Sequence, residues 1–227
     1  MCLEKAIESI SPFSLLDYPD LTSCIVWFKG CNMRCSYCYN PEIIFGEGKY
    51  TFDDVYRFLK TRINLLDGVV LSGGECTMNK NIVDFTRHIK EMGFKVKLDT
   101  NGTYPDRIKQ MLDENLLDFV ALDFKALDYN FQFITKTKTF DLFKKSLDYL
   151  SESNIPYEIR TTYHEDLLSF HDLYNMIDFL KENQYKGNYF IQNFRNDTPS
   201  LDKLPNSNKL PLTQLPKDKI PIFVRND

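Results

Sequence analysis

The sequence predicts an α/β fold, an incomplete (β/α)6 barrel followed by a proline-rich C-terminal tail, and three observations predict it. Strand-like and helix-like segments alternate from about residue 20 to residue 195, no internal repeat interrupts them, and residues that carry chemistry recur just after the strands. Strands alternating with helices argue for a parallel sheet, because each strand-to-strand crossover is a helix. At 227 residues, 43% hydrophobic and 14% aromatic, the chain is long enough and apolar enough to bury a core.

The first strand is SCIVWFKG, 23–30. A helix follows over TFDDVYRFLKTR, 51–62, in which Thr51 caps, Asp53 and Asp54 suit the N-terminal dipole, and Val55, Phe58, Leu59 and Ile63 form one face. DGVVLSGG, 67–74, is an apolar strand. Ile82, Phe85, Ile89 and Met92 mark the next helix, closed by Gly93. FKVKLDT (94–100) leads to a helix opened by Pro105 and carrying Ile108, Met111 and Leu112. DFVALDF (118–124) precedes a helix with Phe143, Leu147 and Leu150. YEIRTTY (157–163) precedes one with Phe170, Leu173, Ile177 and Leu180, and NYFIQNF (188–194) is the last strand. Residues 1–195 therefore read as the barrel domain. Residues 196–227 hold five of the ten prolines and read as an extended tail that covers part of the barrel opening.

A net charge of −4 and a pI near 5.5 give no basic field for a nucleic-acid partner. The N-terminus is acidic where a secretory signal is basic, and no apolar run reaches membrane length, so a cytoplasmic protein without a membrane partner is expected. The six cysteines, at 2, 24, 31, 35, 38 and 76, crowd the first third of the chain, a poor layout for a disulfide framework. Cys2 and Cys24 read as small packing residues.

The segment KGCNMRCSYCYNPE, 29–42, spaces Cys31, Cys35 and Cys38 as Cys-x3-Cys-x2-Cys. Structural zinc takes four protein ligands, and Cys76 is available as a fourth. A [4Fe–4S] cluster on three thiolates is the other solution and leaves one iron open to a small molecule. After the second strand, SGGE (72–75) offers two glycines through which the backbone approaches a ligand closely, and the Glu75 carboxylate for a cationic group.

Cys31, Cys35 and Cys38, with Tyr37 just before the last cysteine and SGGE in the expected order, resemble the radical S-adenosylmethionine (SAM) superfamily. With SLLDYPD, KLDTNG, LDFKA and YEIRTTY in sequence over residues 10–195, the chain is most similar to glycyl-radical-enzyme activases, above all those of anaerobic ribonucleoside-triphosphate reductase. That resemblance implies a [4Fe–4S] cluster on the three cysteines and SAM beside Tyr37 and Tyr39. It implies that Gly73, Gly74 and Glu75 hold the SAM amino group, and that Asp123 and Lys125 reach the ribose hydroxyls. Asp99 and Thr100, with Asp123, would hold a monovalent cation, and Arg160 a carboxylate or the partner's peptide. It also implies a flavodoxin or ferredoxin-type electron donor and a glycyl-radical enzyme as protein substrate. In place of the family's usual proline after the glutamate stands Cys76, which is oxidation-sensitive if exposed. No cysteine lies between Tyr39 and Cys76, which resembles the compact subtype with a single cluster. A pyruvate formate-lyase-type activase, a radical SAM enzyme acting on a small molecule such as a deazaguanine precursor, and a zinc-binding module are the alternatives.

Overall fold

The structure is a computed structural model that describes residues 4–211, 213, 215, 216 and 220–225; Cys2 lies outside the described residues. The chain divides into two compact units. The first comprises Met1–Asn32, Pro41–Thr100 and Tyr104–Val120, the second Met33–Asn40, Asn101–Thr103 and Ala121–Asp227.

In the first unit the strands β1 (Ile7–Ser14), β2 (Ser23–Phe28), β3 (Gly68–Gly73) and β4 (Lys95–Thr100) lie side by side in chain order. Helices α1 (Pro41–Phe45), α2 (Phe52–Lys60), α3 (Ile82–Glu91) and α4 (Pro105–Asp113) connect or follow them. β1 is antiparallel to β2, whereas β2, β3 and β4 are mutually parallel. The β2–β3 register pairs Ser23 with Gly68 and Phe28 with Gly73, so the carboxyl ends of these strands finish level. Both strands are nearly continuous apolar runs because helices cover a parallel sheet on its faces. Phe28, Phe52 and Phe85 pack together, with Phe52 stacked on Phe85 at 4.2 Å. The expected caps are in place: Thr51 and Asp54 form a capping box on α2, Pro105 opens α4, and Gly93 after α3 has a φ of +94°. Cys24 is fully buried, and burial pushes its thiol up to about 12, as befits a packing cysteine.

β5 (Phe119–Asp123) begins in the first unit and ends in the second. The second unit continues with α5 (Asp128–Thr135), α6 (Phe140–Glu152), β6 (Tyr157–Tyr163), α7 (Phe170–Glu182), β7 (Tyr189–Asn193) and β8 (Ile222–Arg225). β6, β7 and β8 are parallel neighbours. Phe124 stacks on Phe143 at 4.9 Å and also meets Phe179, giving this unit an aromatic core.

Four of the described elements were not foreseen. β1 carries Pro12 and has a partly exposed, irregular pattern, as suits a strand paired on one side. β8 is four residues long and sits within the segment read as tail. α1 is five residues long, and α5 is aromatic-rich and ends on Lys136 in the left-handed conformation instead of on glycine.

Asp118 anchors the edge of the first unit. It accepts from Lys90 at 2.6 Å, Lys95 at 2.9 Å and the Val96 amide at 2.8 Å. Burial acts to raise this carboxyl, but the three donors outweigh it and hold it below the ordinary range. A lowered folded-state value means stability that is present above the unfolded carboxyl value and is lost as the pH falls through the folded one. Asp118→Asn is therefore expected to lower the unfolding free energy by about 1 to 2 kcal/mol at neutral pH. The difference should shrink below about pH 4, as urea denaturation at neutral and acid pH will show.

Candidate functional site

In the first unit, Cys31 follows β2 through Gly30, which adopts a φ of +80°. The SGGE segment holds this exit in place. The Gly74 amide donates to the Phe28 carbonyl at 3.0 Å, and the Glu75 amide donates to the Gly30 carbonyl at 2.9 Å. The glycines are required by this backbone-on-backbone contact. A Cβ at Gly73 would lie 2.3 Å from the Phe28 carbonyl oxygen, and one at Gly74 would lie 1.9 Å from the Gly30 oxygen and 3.1 Å from the Cys31 Cβ. The close approach expected toward a ligand is thus, at these two positions, an approach to the loop that presents Cys31.

Glu75 is buried, and its Oε1 accepts from the Thr77 amide at 3.0 Å, from the Thr77 hydroxyl, and from the Thr100 hydroxyl at 2.8 Å. Glu75 also caps a single turn, Cys76–Met78, whose Thr77 and Met78 carbonyls accept from Arg107. Cys76 is fully buried with its thiol directed at the Leu71 and Asp99 carbonyls. Burial, with the charges of Glu75 and Asp99, raises that thiol well above its ordinary value. The exposure on which its oxidation sensitivity depended is absent, and Cys76 serves packing in place of the usual proline.

Asp99 is bonded to the buried Lys97 ammonium through Oδ1, and Ser72 donates to Oδ2 at 3.4 Å. Asp99 and Thr100, the residues expected to hold a monovalent cation, therefore already hold an ammonium and a carboxylate. Lys97 supplies positive charge at that point. It escaped notice as a charged residue inside an apolar strand, although its spacing two before Asp99 places both on one face of β4. Thr77 and Arg107 were missed because neither belongs to a recognisable pattern.

In the second unit, Cys35 is buried and Cys38 half-buried on an irregular loop. The Arg34 and Ser36 amides donate to the Thr135 and Ile134 carbonyls at the end of α5, at 2.9 and 3.2 Å. Burial pushes the Cys35 thiol up to about 11, against the pull of Lys125. Tyr37 is buried, its hydroxyl has no hydrogen-bond partner among the described residues, and the Lys125 ammonium lies 5.7 Å from its ring centroid. The Tyr39 hydroxyl accepts from the Arg195 amide at 2.7 Å.

Asp123 ends β5 between two cations: Arg160 Nε donates to Oδ1 at 3.0 Å and Lys125 to Oδ2 at 3.1 Å. Burial opposes ionisation of this carboxyl, but Arg160 and Lys125 together hold it below the ordinary range. Burial likewise disfavours the Lys125 ammonium, yet Asp123, then Tyr37 and Cys35, raise it well above its usual value. Asp123 thus binds both cations, and of the two it is Lys125 that acts on the Cys35 thiol.

The first unit thus gathers Cys31, Gly73, Gly74, Glu75, Asp99 and Thr100, and the second Cys35, Tyr37, Cys38, Tyr39, Asp123, Lys125 and Arg160. Among the described residues no set of three or more His, Cys, Asp and Glu side chains is disposed to hold a single metal ion. A [4Fe–4S] cluster takes one thiolate per iron and does not require such convergence. In the second unit two thiols, a buried tyrosine hydroxyl without a hydrogen-bond partner among the described residues, and the Lys125 ammonium suit an iron–sulfur group with a small polar molecule carrying a carboxylate. Among the described residues no helix is long and apolar enough to cross a membrane.

Residues 25–187 match the radical SAM superfamily profile. A Methanocaldococcus jannaschii protein provisionally named as a glycyl-radical enzyme activating enzyme is 29% identical over 199 residues, covering 85% of this chain and 81% of its own length. The pyruvate formate-lyase 1-activating enzyme of Escherichia coli is 32% identical over 117 residues, 48% of this chain and 47% of its own. The crystal structure of Streptococcus suis SuiB bound to S-adenosylmethionine superposes with a TM-score of 0.66 at 18% identity, over 89% of this chain and 52% of that one. This chain spans about half the length of that structure, and the likeness concerns the fold.

Gly74→Ala is expected to force apart the SGGE segment and the Gly30–Cys31 exit, because the new methyl would meet backbone that cannot rotate away. A stability loss of about 1 to 3 kcal/mol follows from such overpacking, measurable by thermal or urea unfolding.

Proposed function

The chain belongs to the radical SAM superfamily, and from that premise we propose that it is a glycyl-radical-enzyme activase whose partner is an anaerobic ribonucleoside-triphosphate reductase. Superfamily members use a [4Fe–4S] cluster and SAM, whose one-electron cleavage supplies a 5′-deoxyadenosyl radical able to take a hydrogen atom from a glycine α-carbon. The observation that carries the activase reading is the similarity over 85% of the chain to the M. jannaschii activating enzyme. The absence of cysteines between Tyr39 and Cys76 supports the single-cluster form.

In this reading Cys31, Cys35 and Cys38 hold the cluster. Glu75, fixed by Thr77 and Thr100, accepts the SAM ammonium, while Gly73 and Gly74 keep its segment against the Cys31 exit. Lys97 supplies the positive charge that a monovalent cation at Asp99 would otherwise bring. Asp123 and Lys125 meet the ribose hydroxyls, and Arg160 offers a guanidinium to the SAM carboxylate or to the partner's peptide. The Tyr37 hydroxyl, buried without a partner among the described residues, is available to the cofactor, with Tyr39 two residues on. The electron comes from a flavodoxin or ferredoxin-type donor. No side chain is required as general acid or base, because the chain's task is to orient the cofactor and exclude side reactions.

A pyruvate formate-lyase-type activase is the second reading, favoured by the E. coli relative. Incubating the reduced, reconstituted protein with SAM and each candidate glycyl-radical enzyme, and recording electron paramagnetic resonance spectra, separates the two. A glycyl radical on the reductase is expected. A radical on the lyase alone supports the second reading, and deoxyadenosine formed with neither radical points to a small-molecule substrate. Asp123→Asn is expected to weaken SAM binding about tenfold in calorimetry, as the loss of a charge-assisted contact does, while iron content stays at the wild-type level.

A further inference from the structure

The loop that carries Cys35 and Cys38 has no regular secondary structure of its own. A chain segment in that condition is fixed only by what donates to it or accepts from it. On one side stands the end of α5, through the Ile134 and Thr135 carbonyls. On the other stands the segment after β7. The Leu201 amide donates to the Cys38 carbonyl at 2.8 Å, the Asp202 amide donates to the Ser36 carbonyl at 3.1 Å, and the Arg195 amide donates to the Tyr39 hydroxyl at 2.7 Å.

These donors are themselves held in place. Ser200 to Lys203 form a tight turn, with the Lys203 amide on the Ser200 carbonyl at 3.0 Å and the Leu204 amide on the Ser200 hydroxyl at 3.0 Å. The turn presents the consecutive 201 and 202 amides to the cysteine loop. Further along, the Pro205 carbonyl accepts from buried His164 at 2.9 Å. The His164 Nδ1 accepts from the Asp166 amide, which leaves Nε2 as the protonated, donating nitrogen. Ser207 accepts from the Glu165 amide at 3.0 Å, and both the amide and the side chain of Asn208 donate to the Glu165 carboxylate. Asn196 exchanges hydrogen bonds with the Ser207 backbone, closing the segment on itself.

We infer that residues 195–208 are a strap that fixes the loop bearing Cys35 and Cys38, and that its turn at Ser200–Lys203 positions these two cluster ligands. The inference rests on the three-cysteine reading of the preceding subsection. The strap lies beyond the residues that match the superfamily profile, which end at 187. Its role is to hold Cys38 and its neighbours in one conformation, so that the thiols need not be ordered when iron and sulfide are bound, and so that a bound cluster leaves slowly.

Leu201→Pro tests this cleanly. Residue 201 is the second position of the turn, where proline is favoured, so the substitution deletes the amide that donates to Cys38 and keeps the turn. Leu201→Ala keeps the amide and is the control. Full-length proteins reconstituted anaerobically with iron and sulfide are compared for iron content, the rate of iron loss to EDTA, and the electron paramagnetic resonance g-values of the reduced cluster. Leu201→Pro is expected to lose iron about tenfold faster than wild type, the effect of one to two hydrogen bonds, with shifted g-values, whereas Leu201→Ala matches wild type. Loaded wild type with an indistinguishable Leu201→Pro overturns the strap alone. Wild type that binds no iron–sulfur cluster overturns the three-cysteine reading and the strap with it. Thermal unfolding of the apoproteins checks that Leu201→Pro folds. If it does not, Glu165→Ala, which removes the exposed carboxylate that accepts both Asn208 donors at the far end of the strap, is measured instead, and unchanged iron loss there overturns the proposal.

Discussion

The contact between the SGGE segment and the Phe28–Gly30 backbone is the constraint from which the first unit's share of the site follows. With the Gly74 Cα so near the Gly30 carbonyl that no side chain fits, two adjacent strand ends are locked level and Cys31 has one exit direction. The same segment carries Glu75, whose amide completes the lock while its carboxylate is turned inward and held by Thr77 and Thr100. Cys31 and the Glu75 carboxylate are thus parts of one hydrogen-bonded piece. Cys76 and Arg107 secure that piece from below, the first by packing and the second through the carbonyls of the short turn.

The second unit uses charge where the first uses close packing. Asp123 stands half-buried between Arg160 and Lys125, each of which bonds one of its oxygens. In the proposed activase these cations would face thiolates and a carboxylate-bearing cofactor. In the first unit the Lys97 ammonium is bonded to Asp99.

Much of this was legible in the chain. The alternation of apolar strands with amphipathic helices reflects covalent periodicities, 2.0 and 3.6 residues, that any parallel α/β unit must obey. Hence the expected strand at 157–163 coincides with β6, and the other five differ from the observed strands by a residue or two at their ends. The cysteine spacing and SGGE were equally plain, because a motif within eight residues is local. β1 and β8 were not legible. A strand paired on one side needs no continuous apolar run, and a four-residue strand after Pro221 is recognisable only through the neighbour β7 it pairs with.

Residue types and spacings by themselves determined the α/β alternation, the helix caps and the three-cysteine signature, since each depends on interactions within about a dozen residues. Only the fold decided what the conspicuous residues touch. It turned the two SGGE glycines toward backbone, committed Asp99 to Lys97, buried Cys76 out of reach, and laid residues 195–208 against a loop more than 150 positions earlier in the chain. The physical reason is that backbone amides, which make the strap's decisive contacts, are the same for nearly every residue type, so a sequence carries no mark of where they will donate.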